Sequence, residues 1–479
     1  MMDRYDDEDD EINEESVNAL LFSIADGTAN YISADDAISY YNLLMDLERI
    51  DDARTLLDYA ISLNSNDQDL LLTKSIFQIN MGLYPEAENI LDFLVKEGYN
   101  RPPLDINFGW LNLKKGLRSE AIRYFEKAVQ HAENDDEQIS VLEEIANNTS
   151  NMGMHDIAVK FYEQINPEER EKYEDVELQY AFSLDKLGRN DEAIAAYRCV
   201  LKTNPLNAEA WCSLALVLAR QEDIEGATEA NENALGICPV YADPYFNLGC
   251  LSYMQFDWLK VIDNFTDYIS LADDIKLTAS SYVFIGEAWK QLDNIDLSYR
   301  FFEMGAKLEP ELSQAWFHMG VTTVAKGDVE LGFKYMDKAI ELDPTEIEYY
   351  TSAVETCILA QSYLKAYNYA QKGLLADPDN ITLLFQTVNL LIVIKDSSKQ
   401  TIDNFFTVKK SEIGNPPALQ FVEAYFIYNR NKAKAIKMID EILSQSPQTI
   451  IEASKLGVFA DFLKKDELNI LLIKHNIQI

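Results

Sequence analysis

The stretch KAIELDP, residues 338–344, closes one segment of this chain, and near copies close others. NALGICP ends at Pro239, GAKLEP at Pro310 and KGLLADP at Pro378. Pro205, Pro239, Pro310, Pro344 and Pro378 follow one another at one, two, one and one steps of a single period, and Pro447 comes two steps later. That period is about 34 residues, with small insertions in the double steps. A fixed period of this length means that one supersecondary unit is written repeatedly.

Other columns keep the same register. Trp211, Tyr282, Trp316 and Tyr350 stand at one common distance ahead of Pro239, Pro310, Pro344 and Pro378. Gly109, Gly249, Gly286 and Gly320 share one column. Ala53, Ala87, Ala121, Ala158, Ala193, Ala227, Ala366 and Ala435 share another, which Ser298 and Gly332 fill in other units. Small side chains at fixed places let two helix axes approach closely.

Each unit reads as two helices. QAWFHMGVTTVA (314–325) is apolar at helical spacing and ends at Lys326–Gly327. Asp328 then caps VELGFKYMDKAIEL, because its carboxylate accepts the free N–H groups of the next helix. Gly82, Gly116, Gly153 and Gly188 match Gly327, where a left-handed residue ends a helix. Proline after the second helix prevents its continuation. The DP ending is therefore a stop signal that turns the chain into the next hairpin.

These residues resemble the tetratricopeptide repeat, a helix–turn–helix of the same period. The pattern is clearest in 208–241, 279–312 and 313–346; the last reads Trp316, Met319-Gly320, Gly332, Met336, Ala339 and Pro344. Units are placed from 34, 68, 102, 139, 174, 208, 242, 279, 313, 347, 381 and 416. The unit at 381–415 departs most, with Gln400 in the small column and no proline. The resemblance implies an all-α, right-handed superhelical solenoid of about twelve repeats at 34–449. An acidic disordered tail is expected at 1–15, a lead-in helix at 16–33 and two C-terminal capping helices within 450–479, since an end repeat needs its bare face closed.

Composition excludes several functions. Apolar residues are 47% of 479 and charged residues 25%, values of a folded soluble chain. The net charge of −40 repels phosphate, so neither a nucleic acid nor an anionic membrane surface is an expected partner. The most apolar run, LLFQTVNLLIVI (383–394), is too short to span a bilayer, and MMDRYDDEDD lacks the order of a secretory leader. A cytoplasmic protein is expected, with Cys199, Cys212, Cys238, Cys250 and Cys357 as reduced thiols. His131, His155, His318 and His475 have no metal-site spacing, and no glycine-rich phosphate loop or GxSxG elbow occurs. The Glu143–Glu144 pair is the adjacency expected by chance in so acidic a chain. No metal, no cofactor and no enzymatic reaction are expected.

Repeats of the resembled family line a concave groove with the first helix of each unit. The lining positions are then the second, fifth, sixth, ninth, twelfth and thirteenth. Acids outnumber bases there, and the fifth position never carries the lysine with which some family members clamp a terminal carboxylate. Candidate contact residues are Asn107, Asn147, Phe246, Asn247, Tyr253, Phe284, Glu287, Phe317, His318 and Asn389. The expected function is a scaffold or adaptor that binds an extended or helical segment of a protein partner, basic in character, in an acidic, aromatic-lined groove. The alternative is a chaperone-like or regulatory protein that shields a client. The oligomeric state stays open. NRNKAKAIK (429–437) is the densest basic stretch, in a C-terminal region where bases slightly exceed acids.

Overall fold

The computed structural model describes residues 13–170, 172–394 and 399–477. Most of the run expected as an acidic tail, residues 1–12, lies outside them. Every regular element among the described residues is a helix, and the described residues form two compact units, one ending at Ile237 and the other beginning at Cys238.

In the first unit α1 (Glu14–Asp26) precedes the hairpins. These are α2 (Ala34–Asp46) with α3 (Ile50–Leu63), α4 (Gln68–Asn80) with α5 (Tyr84–Lys96), and α6 (Pro102–Lys114) with α7 (Arg118–His131). Next come α8 (Asp135–Asn151) with α9 (His155–Tyr162), the short α10 (Pro167–Arg170), and α11 (Glu174–Lys186) with α12 (Asn190–Thr203). The unit closes with α13 (Ala208–Arg220) and α14 (Ile224–Ile237).

The second unit begins with α15 (Ala242–Met254) and α16 (Trp258–Leu271), then α17 (Ile275–Gln291) and α18 (Ile295–Leu308). It continues with α19 (Ser313–Ala325) and α20 (Val329–Leu342), then α21 (Ile347–Leu359) and α22 (Tyr363–Ala376). After α23 (Ile381–Ile394) and α24 (Lys399–Ile413) come α25 (Pro417–Ile427) and α26 (Lys432–Gln445). The unit ends with α27 (Pro447–Ser454), α28 (Gly457–Leu463) and α29 (Asp466–Lys474).

Two departures from the sequence reading are local. The lead-in segment is helical over Glu14–Asp26, starting within the expected tail because Asn13 caps it by accepting from the Ser16 N–H, and ending at left-handed Gly27 (φ 70°). The C-terminal segment holds three short helices rather than two. Extended Leu456 breaks the run between α27 and α28. The break turns Phe459 and Phe462, both buried, onto Phe421 and Tyr425, with ring centroids 5.0 Å apart in the pairs Phe421–Phe459 and Tyr425–Phe462.

The repeat columns correspond to physical contacts. Trp211 and Trp316 donate their indole N–H to the carbonyls of Pro205 and Pro310, at 3.0 and 2.9 Å. Tyr245 and Tyr350 donate their hydroxyls to Pro239 and Pro344, at 3.3 and 3.0 Å. The aromatic and the proline are thus one device, closing the turn into each new unit. Asp328 caps α20 by accepting from the Leu331 N–H at 3.1 Å. The tight turns place one left-handed residue at a repeating position: Gly82, Gly116, Gly153, Gly188 and Gly327, and elsewhere Glu48, Glu222, Phe256, Asp293 and Gln361. The period stretches where α8 and α17 reach 17 residues. The longer α17 explains the stretched double step between Pro239 and Pro310.

Close approach rests on the glycine column. A Cβ on Gly109, Gly249 or Gly286 would fall within 2.2, 2.8 or 2.5 Å of the ring of Phe125, Phe265 or Phe302. On Gly320 it would lie 2.7 Å from Met336 Cγ and 2.8 Å from the Gly332 carbonyl. In each case the large partner stands at one fixed offset, on the second helix of the same hairpin. The small column is buried beside it from Ala53 to Ala366 and at Ala435, with Val261 taking its place in α16, whereas Gln400 is exposed.

Two glycine substitutions should separate these effects. Gly286→Ala overpacks the Phe302 ring and should cost about 1–3 kcal/mol. Gly188→Ala meets no atom within 4 Å, so its cost is the left-handed backbone alone, about 1 kcal/mol. Chemical denaturation of the two variants beside the parent measures both; a Gly286→Ala variant as stable as the parent would refute the steric account.

Candidate partner-binding groove

The first helices of the second unit, α15, α17, α19 and α21, line a groove of about 480 Å³. Its wall is built from rings. Phe284 stacks on Phe265 at 4.8 Å, nearly parallel, and meets the edge of Tyr253 at 5.2 Å. Phe317 stacks on Tyr349 at 4.6 Å, and His318 on Phe302 at 5.1 Å. Phe265 and Phe302 are the rings seated under Gly249 and Gly286. The close helix approach therefore also supports the groove wall from behind.

Charge is unevenly distributed on this surface. Glu287 is buried, 9% exposed, and its Oε1 accepts from Lys290 Nζ at 2.8 Å and pairs with His318 Nδ1 at 2.8 Å. Burial alone would raise its carboxyl; the hydrogen bond and charge of His318, with Lys290, outweigh that and hold it at about 2. Glu346, Glu348 and Glu355 line the same groove and are exposed. A Glu346 oxygen accepts from the Glu348 N–H at 3.1 Å, capping α21. Glu348 and Glu355 have no ion-pair partner among the described residues. Burial, then Glu287 and Glu348, raise the Tyr253 hydroxyl, so it stays a neutral donor.

The structure brings together Tyr253, Phe284, Glu287, Phe317 and His318 from the sequence candidates. It places the other five elsewhere. Phe246 packs edge-on against Phe265 and Tyr268, at 5.4 and 5.1 Å. Asn247 is half-buried on α15 and engaged within the protein. Asn147 accepts from the Tyr162 hydroxyl at 2.5 Å. Asn389 is half-buried on α23. Asn107 lines a separate cavity of the first unit, about 450 Å³, with Asn80, Trp110, Lys114 and Glu144 among its walls. Its amide donates to the Leu72 carbonyl at 3.1 Å and to Ser75 Oγ at 2.9 Å, tying α6 to α4.

All groove-lining residues except Glu346, Tyr349 and Thr356 stand at the six repeat positions read from sequence. Tyr349 is the main residue that reading missed. It occupies a third position, and its hydroxyl shares a 2.9 Å hydrogen bond with Ser313 of α19. An aromatic just after a groove acid was the available signal.

Among the described residues no three His, Cys, Asp or Glu side chains group as a metal site. No disulfide joins the five cysteines, and burial pushes the Cys250 thiol up to about 11. No helix among the described residues is long and apolar enough to cross a membrane.

Family models described as tetratricopeptide repeat match residues 182–242 and 313–346. No curated protein sequence matches the chain. Among solved structures it is similar to MamA, at 23% identity over 37% of this chain and 94% of that one, with a TM-score of 0.33. YrrB, described as a TPR protein with an unusual peptide-binding site, is similar at 17% identity over 40% and 96%, TM-score 0.34. Yeast Tom70 is similar at 13% identity over 95% and 99%, TM-score 0.40.

Glu287 gives the groove a pH signature. Its folded value lies below the usual 4.5, so its pairing stabilises the protein above about 4.5 and is lost as pH falls toward 2. The stability difference between the parent and Glu287→Gln should therefore shrink over that window, by on the order of 2–3 kcal/mol. Denaturant midpoints measured at stepped pH test this, and a constant difference would contradict it.

Proposed function

We propose that this tetratricopeptide repeat protein is an interaction scaffold whose second unit binds a basic, aromatic-bearing segment of a partner protein. The observation that carries this reading is the pairing of unneutralised Glu348 and Glu355 with the rings of Tyr253, Phe284, Phe317 and Tyr349 in one groove. Carboxylates on an open, ring-lined wall attract a lysine or arginine, whose charge also sits favourably over aromatic faces. The mean field of a chain with net charge −40 steers such a segment toward the groove and raises the association rate.

Each wall element has a part. Tyr253, Phe284, Phe317 and Tyr349 supply the apolar contact area. Glu348 and Glu355 take the cation. Glu287 is already neutralised by Lys290 and His318, so it positions His318 and contributes little free charge. Two candidate contact amides, Asn107 and Asn147, lie outside this groove and are engaged within the fold, which leaves backbone recognition to Gln314, Ser352 and Thr356. Nothing in this reading requires a reaction, a metal or a cofactor. Its natural compartment is the cytoplasm.

A peptide array graded in charge and aromatic content, read by fluorescence anisotropy on the full chain, tests the proposal. Lysine- or arginine-bearing aromatic peptides should bind best and weaken as salt is raised. Glu348→Gln with Glu355→Gln should weaken them by roughly tenfold, about 1.4 kcal/mol. Equal binding of neutral or acidic peptides, or no effect of the double variant, would overturn it.

A further inference from the structure

A second cleft in the same unit has the opposite chemistry. It lies between α24, α25 and α26 and has a volume of about 460 Å³. Its walls carry Lys410, Arg430 and Lys434, with Phe406 and Ile427 as apolar floor. These cations include two from NRNKAKAIK, the basic stretch for which the groove reading has no use.

The cleft is organised around one buried carboxylate. Glu423 is 6% exposed. One of its oxygens accepts from Lys410 of α24, and the other from Lys434 of α26 at 3.1 Å. A buried carboxylate is stable only when well paired, and here it draws two ammonium groups from different helices to one place. Each ammonium has three N–H donors, and Glu423 occupies one of each. Arg430 is exposed at the turn into α26 and has no ion-pair partner among the described residues. Asp403 is the one other carboxylate in the wall, so three cations face two anions, one of which is doubly neutralised. This local excess of positive charge stands within a chain of net charge −40.

We propose that this cleft docks an acidic segment of a partner protein, one that presents aspartate or glutamate carboxylates beside an apolar side chain. Arg430 takes one carboxylate in a forked contact, and the free donors of Lys410 and Lys434 take a second. Phe406 and Ile427 receive the apolar neighbour. Two of the three walls are second helices, whereas the groove is lined by first helices, and the two sites share no residue. The inference does not rest on the groove reading. Together the two sites would let one unit bridge a basic and an acidic segment.

The test uses the full chain and a fluorescein-labelled peptide of alternating glutamate and leucine, read by anisotropy at low salt. Saturable binding is expected. Arg430→Gln, which breaks no internal ion pair, should weaken it about tenfold. Glu423→Gln should strengthen it, because the competing carboxylate is removed while the side-chain shape is kept. Glu348→Gln with Glu355→Gln, in the groove, should leave it unchanged. Absence of saturable binding, or indifference to both Arg430→Gln and Glu423→Gln, overturns the proposal. Displacement of the peptide by equimolar inorganic phosphate would also overturn it, in favour of a small-anion site.

Discussion

In the hairpins of Gly109, Gly249, Gly286 and Gly320, the contact between a glycine on the first helix and a large side chain facing it on the second sets how closely the two helices approach. Gly286 and Phe302 show why. With hydrogen in place of a methyl group, the ring fits where a Cβ would fall 2.5 Å from Phe302 Cε1. The helix axes then come close enough for the fully buried small residues of the neighbouring column to fill the remaining space. Hairpins with and without that glycine share the same short turn, and its left-handed residue recurs whether or not it is glycine. Five of the turns use Glu, Phe, Asp or Gln there, at roughly 1–2 kcal/mol each by the usual left-handed penalty. That the chain tolerates this cost shows that packing, not local preference, decides the turn.

The same contact reaches the surface. Phe265 and Phe302 fill the space under their glycines and present their other faces to Phe284 and His318. Groove rings are therefore backed by core rings and do not depend on a ligand for their orientation. Preorganised aromatics lose little conformational freedom when a partner arrives, which favours affinity per unit of area. Two columns of the repeat, one structural and one surface-facing, are thus mechanically linked.

Much of this was legible in the sequence because the repeat multiplies weak signals. One proline or one alanine decides nothing, but Pro205 through Pro378 in register specify where each hairpin ends. The six lining positions could be read for the same reason, since helix geometry carries them from unit to unit. Individual residues were harder. Asn107 was expected in a groove and does line a cavity, yet its amide is held by Leu72 and Ser75 of the preceding unit. No pattern in the sequence distinguishes an amide held by a neighbouring unit from one open to a partner. Phe246 turned inward because Phe265 and Tyr268 offered two ring edges, a choice made by packing on the second helix. Tyr349 was missed because its register position normally faces the core, and only its contact with Ser313 draws it to the wall. The break at Leu456 falls beside Gly457, a poor helix former whose weak signal the apolar pattern around it overrode, and it lets the two phenylalanines beyond it be buried.

Glu287 and Glu423 show one solution applied twice with opposite results. Each is a carboxylate removed from water, and each is held by two nitrogen groups. A single exposed partner would offset little of the desolvation cost of such a buried charge, which is several kcal/mol. The pairing makes both sites locally close to balanced, so the charge a partner meets is set by the residues around them. Around Glu287 stand Glu346, Glu348 and Glu355, and the groove is left negative. Around Glu423 stands Arg430, and the two lysines bring more donors than one carboxylate can use, so the cleft is left positive. A buried acid is thus the fixed element in both places, and the sign of each surface depends on exposed side chains such as Glu348, Glu355 and Arg430, which form no ion pair among the described residues. Such surfaces can change their partners by substitution without disturbing the repeats that carry them.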